Sequence, residues 1–522
     1  MFRREATLYR KHRNMTIESP TRAGAKEWWA LAVLTVAVVI LAIDGTVLAL
    51  AVPALVADLD ATTTQILWIG DIYSFMLAGL LITMGNLADR IGRKRLLLFG
   101  AAGFGIASAV AAFSTTPEML IAARALLGIS GATLMPSTLS LVRAMFEDAA
   151  QRTRAIAVWS AGAVGGAAAG PLIGGFLLEN FHWGMVFLIN IPIVIVVIVA
   201  GLFLIPESRN PEKPRIDVLS AVLSIVAIIP LVYAVKRVVG YGVDWSIIAG
   251  ALIGIIAGIF FIRRQRTLTT PLIDVQLFKI PAFSGAVVAI TLTIFAFSGL
   301  LFFFSQYLQL VRGFGPFLAG LAELPMTIAQ MAVILIVGIM LRRLGRGRSI
   351  SVGLGVAALG IALLAVGEGI EGYLTLGIAL ALVGIGVGVA ATLGTDAVVS
   401  AVPKARAGAA ASVSETAYEL GIALGIAVLG SLQVWVYRNN LVIPEGIGQT
   451  TADATLDSLA RAHRVLDLND PAQAALLSEA QHAFTSGMQV AAITAAVLLV
   501  IAAIVAWRVI PSNKDVAEPV DH

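Results

Sequence analysis

The chain of 522 residues contains no cysteine. That excludes disulfides, iron–sulfur clusters and thiol catalysis. Charge is scarce as well: Asp, Glu, Lys and Arg make up 13% of the residues, where soluble domains carry roughly 25%. Five histidines occur, His12, His182, His463, His482 and His522, scattered without metal-ligand spacing. No nucleophile–base pair stands out either, so an enzyme finds little support. What fills the chain is apolar, with 58% hydrophobic residues and a mean hydropathy of +0.91. This is the composition of an all-α polytopic membrane protein. Residues 1–27 are polar and basic and lack an apolar stretch with a cleavage site, so no removable signal peptide is expected.

A membrane span needs about 20 apolar residues. Fourteen candidates fall near 28–52, 67–86, 96–115, 118–141, 154–178, 184–205, 216–237, 244–262, 283–307, 317–341, 349–367, 372–395, 406–436 and 484–508. The positive-inside rule tests the count. With both termini cytoplasmic, 29 of the 36 Lys and Arg fall on the inner side. A missed or invented span would scramble that asymmetry. The basic balance, with a pI near 9.4, therefore reflects topology and gives no reason to expect nucleic acid.

The chain divides accordingly. Residues 1–27 form a basic cytoplasmic tail, 28–205 a six-helix bundle, 216–262 an extra central pair, 283–508 a second six-helix bundle and 509–522 a cytoplasmic tail. A long extracytoplasmic loop, 438–483, precedes the last span. It reads as two short amphipathic helices broken at Asn469-Asp470-Pro471, either a solvated decoration or a lid over an outward cavity. The halves also repeat: Gly85, Arg90, Gly92, Arg93 and Arg95 after span 2 pair in register with Gly338, Arg343, Gly345, Arg346 and Arg348 after span 10. Repeated halves with a site between them are a recurrent transporter design.

The residues that carry chemistry are few. Glu415 and Glu419 lie four apart in the otherwise apolar span 13, on one helical face. Acids within a membrane are costly and mark functional sites by default. Glu415 falls about 14 Å and Glu419 about 20 Å from the inner end of that span. Asp44 in span 1 and Arg124 in span 4 lie about 12 Å and 9 Å from the outer side, deep enough to pair. Asp71 is shallower, about 6 Å from the outer end of span 2. In span 5, Gly166, Gly170, Gly174 and Gly175 surround Pro171: glycines four apart let another helix approach, and the proline can bend the axis.

These motifs resemble known ones. Gly85-Asn-Leu-Ala-Asp89-Arg90-Ile-Gly92-Arg93-Lys94 is similar to the loop signature of the major facilitator superfamily, and Gly166 to Gly175 resembles the helix-5 motif of its antiporters. Asp44-Gly-Thr46-Val47 through Pro53 and Arg124-Ala-Leu-Leu-Gly128 resemble signatures of its fourteen-helix drug:proton antiporters, though apolar Leu48 or Ala49, and Leu127, replace the usual Asn and Gln. Trp68-Ile-Gly-Asp71-Ile-Tyr73 and Ser414 to Gly421 fit the multidrug and quaternary-ammonium exporter branch. The resemblance implies two six-helix bundles plus two extra helices in a bacterial cell (inner) membrane. It further implies a monomeric proton-coupled exporter of hydrophobic cationic small molecules, driven by the proton gradient with no cofactor or metal. Proton coupling then falls to Asp44, Arg124, Glu415, Glu419 and Asp71, and substrate binding to Glu415, Glu419, Asp44, Trp159, Tyr418 and Phe304. Other cargoes remain open, an endogenous lipid or lipophilic metabolite, and so does an uncoupled channel or sensor.

Overall fold

The computed structural model describes residues 22–209, 217–241, 244–268, 271–402 and 407–512, and these contain no strand. Where lipid offers no hydrogen bonds, a helix is the form that satisfies every backbone group within one segment. Fourteen helices are long and apolar enough to cross a membrane. They are α1 (Ala25–Leu59), α2 (Thr63–Ile91), α3 (Arg93–Ala112), α4 (Pro117–Met145), α5 (Ala149–Asn180) and α6 (Met185–Leu204). The central pair is α7 (Val218–Tyr241) and α8 (Trp245–Thr267). The second half holds α9 (Pro281–Leu310), α10 (Pro316–Leu344, interrupted at Glu323), α11 (Arg346–Glu368), α12 (Leu374–Ser400), α13 (Ala407–Asn440) and α14 (Pro471–Val509). Of the two tails, residues 1–21 and 513–522 lie outside the described residues.

Sequence punctuates the helices where expected. Thr62, Thr116, Asp148, Asp244 and Asp470 accept backbone N–H groups at the starts of α2, α4, α5, α8 and α14. The two repeat glycines sit at equivalent junctions, with Gly92 (φ 117°) joining α2 to α3 and Gly345 (φ 78°) joining α10 to α11. Both take the conformation that a side chain disfavours. Each junction is docked by the chain that follows its half's last helix. Arg93 N donates to Ser208 O at 2.9 Å and Arg348 N to Ser512 Oγ at 3.0 Å.

Packing repeats too. Within the first half α1 packs on α5, α2 on α4, and α3 on α4 and α6; within the second, α9 packs on α13, α10 on α12, and α11 on α12 and α14. The halves meet along α2–α13, α5–α10 and α1–α9. The extra helices pack on each other, and α7 lies against both α2 and α13. At the inner end of that hairpin, Arg264 Nη2 donates to Asp217 Oδ1 at 2.9 Å. Burial alone would raise the Asp217 carboxyl, but hydrogen bonds from Arg264 and Ser220 outweigh it and hold the group below its usual 3.8.

The long loop differs from the expectation of 438–483. Helix α13 runs to Asn440, and α14 begins at Pro471, so the intervening segment is 441–470. The stretch expected to form a second amphipathic helix is the first part of α14, because nothing after Pro471 breaks the helix. The stretch before it splits into Gln449–Asp457 and Leu459–Val465, where the Ser458 side chain caps the second piece.

Candidate functional site

Asp44 and Arg124 meet. The Asp44 carboxylate is fully buried and receives Arg124 Nη1 at 2.6 Å. Helix α1 continues past Pro53 to Leu59, which puts Asp44 about 22 Å from its outer end and not about 12 Å. Arg124 also donates through Nε to Ile69 O at 3.1 Å, and its guanidinium lies 4.6 Å from the centre of the Tyr73 ring. Asn190 of α6 donates to Asp44 Oδ1 at 3.3 Å and to Ser108 Oγ at 3.2 Å. Five helices of the first half thus converge on one carboxylate. Asn190 was missed in the sequence; a lone Asn in the apolar run of α6 was the available signal.

The α13 acids face the seam between the halves. Glu419 is buried beside Ser74 of α2, with Oε2 unpartnered. Tyr73, one residue before Ser74, lies within electrostatic range of Asp44, Arg124 and Glu419. Glu415, one turn inward, is half-buried and has no ion-pair partner among the described residues. So Glu415 is open while Asp44 is matched by Arg124.

Asp71 departs from the expectation of a shallow, interfacial acid. It is fully buried and pairs at 2.6 Å with Lys236 of α7, itself 1% exposed. The Lys236 ammonium also lies 3.8 Å from the centre of the Trp68 ring. The acid is buried because α7 covers it, not because of its position along α2. The sequence carries little signal for Lys236: a lone lysine in an apolar run, with Trp68 and Asp71 elsewhere.

Of the aromatic candidates, one stays open. Tyr418 is exposed between the two α13 acids. Trp159 is turned into the first half, its Nε1 donating to Thr138 Oγ1 of α4 at 3.2 Å. Phe304 is stacked on Tyr307 inside the second half, ring centres 6.1 Å apart. The ring that reaches the seam is Phe302, which a Cβ on Gly70 would meet at 2.9 Å. Two residues on a helix turn a side chain by about 200°, which carries Phe304 to the other face.

The conformational motifs take clear positions. Asp89 receives Arg93 Nε at 2.9 Å, and Gly92 leaves room for the Glu207 carboxylate. Gly85 lies near Pro136 of α4, and Arg90 is exposed. In the second copy, where Arg342 replaces the acid, Arg346 pairs instead with Asp396 of α12 at 2.8 Å. The α5 glycines serve two neighbours. Gly166, Gly170 and Gly174 fit against Val39, Thr46 and Val47 of α1, while Gly175 fits against Pro316 and Phe317 of α10. Pro171 O in turn abuts Gly320.

These contacts fix the conformation. Several polar links between the halves lie at or outward of Glu419. Gln309 Nε2 donates to Leu50 O (3.0 Å) and Phe317 N to Glu179 Oε2 (3.1 Å). The 441–470 segment straps the outer face: Arg461 and Arg464 each reach Asp60 at 2.9 Å, and Thr63 N donates to Asp457 at 3.1 Å. Toward the inner side α5 and α10 part, leaving Val158, Val164, Ile334 and Leu335 exposed and open space at Gly165 and Gly338. The halves are joined on the outer side, and α5 and α10 part toward the inner side.

A family model described as Major Facilitator Superfamily matches residues 34–426. The chain is 43% identical to the multidrug efflux pump LfrA of Mycolicibacterium smegmatis, over 93% of this chain and 97% of that one. It is 37% identical to the methyl viologen resistance protein SmvA of Salmonella typhimurium, over 92% and 98%. It is 32% identical to the tetracenomycin C resistance and export protein of Streptomyces glaucescens, over 95% and 94%. Among solved structures, a bacterial homologue of the human lysosomal transporter Spinster superposes with a TM-score of 0.65 at 16% identity, covering 93% of this chain and 97% of that one. That likeness speaks to the fold.

Proposed function

The chain belongs to the major facilitator superfamily, and we propose that it exports hydrophobic organic cations in exchange for protons. It is a multi-pass transporter of the bacterial inner membrane and not an enzyme. One observation carries the reading: Glu415 and Glu419 stand one turn apart at the seam between the halves, and among the described residues no basic side chain neutralises either. A buried carboxylate without a counter-charge attracts either a proton or an organic cation, and the two compete. Relatives named for multidrug efflux and methyl viologen resistance support a drug cargo.

In the proposed cycle a cation enters from the open inner side and meets Glu415 first. Asp44 is engaged with Arg124 in this conformation, so exchange falls to the α13 acids. Tyr418 beside them offers a ring face to the cation. When the outer contacts part, protons replace the cation and it leaves. One proton per monovalent cation is electroneutral, and each pH unit then supplies about 1.4 kcal/mol. A second proton adds the membrane potential, about 2.3 kcal/mol per 100 mV. A lipid or lipophilic metabolite is the rival cargo on the same fold, but an anionic headgroup would meet these acids as like charges.

Everted vesicles test the reading. An imposed pH gradient drives ethidium uptake and a protonophore stops it, while Glu415→Gln folds normally and loses the gradient dependence. Wild-type-like, gradient-driven uptake in that variant would overturn the assignment.

A further inference from the structure

The extra pair α7–α8 has no counterpart in the two repeated halves, and its packing poses a mechanical question. Helix α7 touches both α2 of the first half and α13 of the second. Opening the outside separates α2 from α13, so α7 must leave one of them.

The two contacts differ in kind. Toward α13 the contact is apolar, with Val232 clustered with Ala423 and Ala427. In a membrane, lipid replaces such a contact at little cost. Toward α2 the contact includes Lys236–Asp71 at 2.6 Å, with side chains 1% and 0% exposed. Among the described residues, neither charged group has a side-chain hydrogen-bond partner outside that pair. The Trp68 ring covers the ammonium, and Ser224 Oγ donates to Gly79 O at 3.3 Å about two turns further along α2. Pulling the pair apart strands two charges in low dielectric, which costs several kcal/mol. The apolar contact yields first.

We propose that Lys236 is a positioning residue that pins α7 to α2 and supplies the fixed counter-charge that withdraws Asp71 from proton exchange. The extra pair then travels with the first half, α7 slides on α13, and the exchangeable acids are those of α13. The charged groups around Asp71 fit this assignment. Lys236 comes from α7, and Arg124 comes from α4 but is engaged by Asp44. On α13, Glu419 lies beside Ser74, about one turn from Asp71. Without Lys236, Asp71 becomes one more unmatched acid next to the exchange site.

The pH arm of the test rests on the proton-coupled reading; the cross-linking arm does not. In everted vesicles, Lys236→Met displaces the pH at half-maximal ethidium uptake by about one unit or more. Asp71→Asn combined with Lys236→Met returns it to within about 0.3 unit of wild type, because the added acid is gone. If Lys236→Met fails to fold, Lys236→Arg and the double variant carry the comparison: the first keeps the wild-type profile, and the second does too. Absence of gradient-driven uptake in the wild type overturns the coupling reading alone. An unchanged profile in Lys236→Met, or a displaced one in the double variant, overturns the role of Lys236. The cysteine-free chain suits a second arm with a short bismaleimide. Cross-linking Phe75→Cys to Val232→Cys (α2 to α7) leaves uptake intact, whereas Val232→Cys to Ala427→Cys (α7 to α13) abolishes it. The reverse pattern assigns α7 to the second half and refutes the pin.

Discussion

Replacing Arg124 with Met removes one partner of the most deeply buried ion pair in the first half. At 2.6 Å and an effective dielectric of 20, the Asp44–Arg124 attraction is about 6 kcal/mol before desolvation is counted. Stranding one member of such a pair costs about 3–5 kcal/mol of stability. The variant also loses the hydrogen bond to Ile69 O and the guanidinium over Tyr73, so the upper end applies. Asp44→Asn combined with Arg124→Met removes both charges and recovers most of that loss. The assay is unfolding of the purified protein by SDS titration in mixed micelles, run as a double-mutant cycle. The double variant folds and keeps gradient-driven uptake, because exchange falls to Glu415 and Glu419 and not to the matched Asp44. Two results refute the reasoning. Arg124→Met within about 1 kcal/mol of wild type means the pair is not the support described. Loss of gradient-driven uptake in a folded double variant means that Asp44 itself takes part in exchange.

Three further expectations follow from the same contacts. Gly170→Leu drives its side chain into Thr46 and Ile43 O of α1 and costs about 1–3 kcal/mol, while Gly338→Ala, which opens on free space, is neutral; folded yield and SDS midpoints compare the two. Asp60→Asn weakens both strap arginines, each exposed pair contributing about 0–1 kcal/mol, and so speeds external maleimide labelling of a Val56→Cys probe; an unchanged labelling rate counts against the strap as an outer latch. Asp217 holds a depressed carboxyl, so its contribution is present above the usual 3.8 and is lost only as pH falls through the lower folded value. The stability difference between wild type and Asp217→Asn is therefore constant from pH 5.5 to 8 to within about 0.3 kcal/mol, and a difference that grows across that range contradicts the assigned ionisation.

Legibility varied with the range of the interaction. Fourteen spans, the repeat glycines Gly92 and Gly345, and the i,i+4 pair Asp89–Arg93 were readable because each depends on near neighbours in sequence. Asp44 and Arg124 were readable as partners because two opposite charges at like depth have few other solutions. The sequence places the outer end of the first span near residue 52, whereas packing carries α1 on to Leu59. Trp159 and Phe304 were named for residue type, and their helical phase against distant neighbours turned them away from the seam.

The sequence by itself determined that the chain crosses the membrane fourteen times, that it is built of two repeats with an extra pair, and that acids stand in span 13. Lipid forces these outcomes: each span must be apolar and helical, and each intramembrane charge stands out against it. Tertiary structure alone decided which of those acids are already matched. Asp44 lies against Arg124, Asp71 against Lys236 some 165 residues away in the chain, and Glu415 against no base among the described residues. Sequence shows the charges, but only the fold sets the distances that make one a closed ion pair and leave another free to exchange.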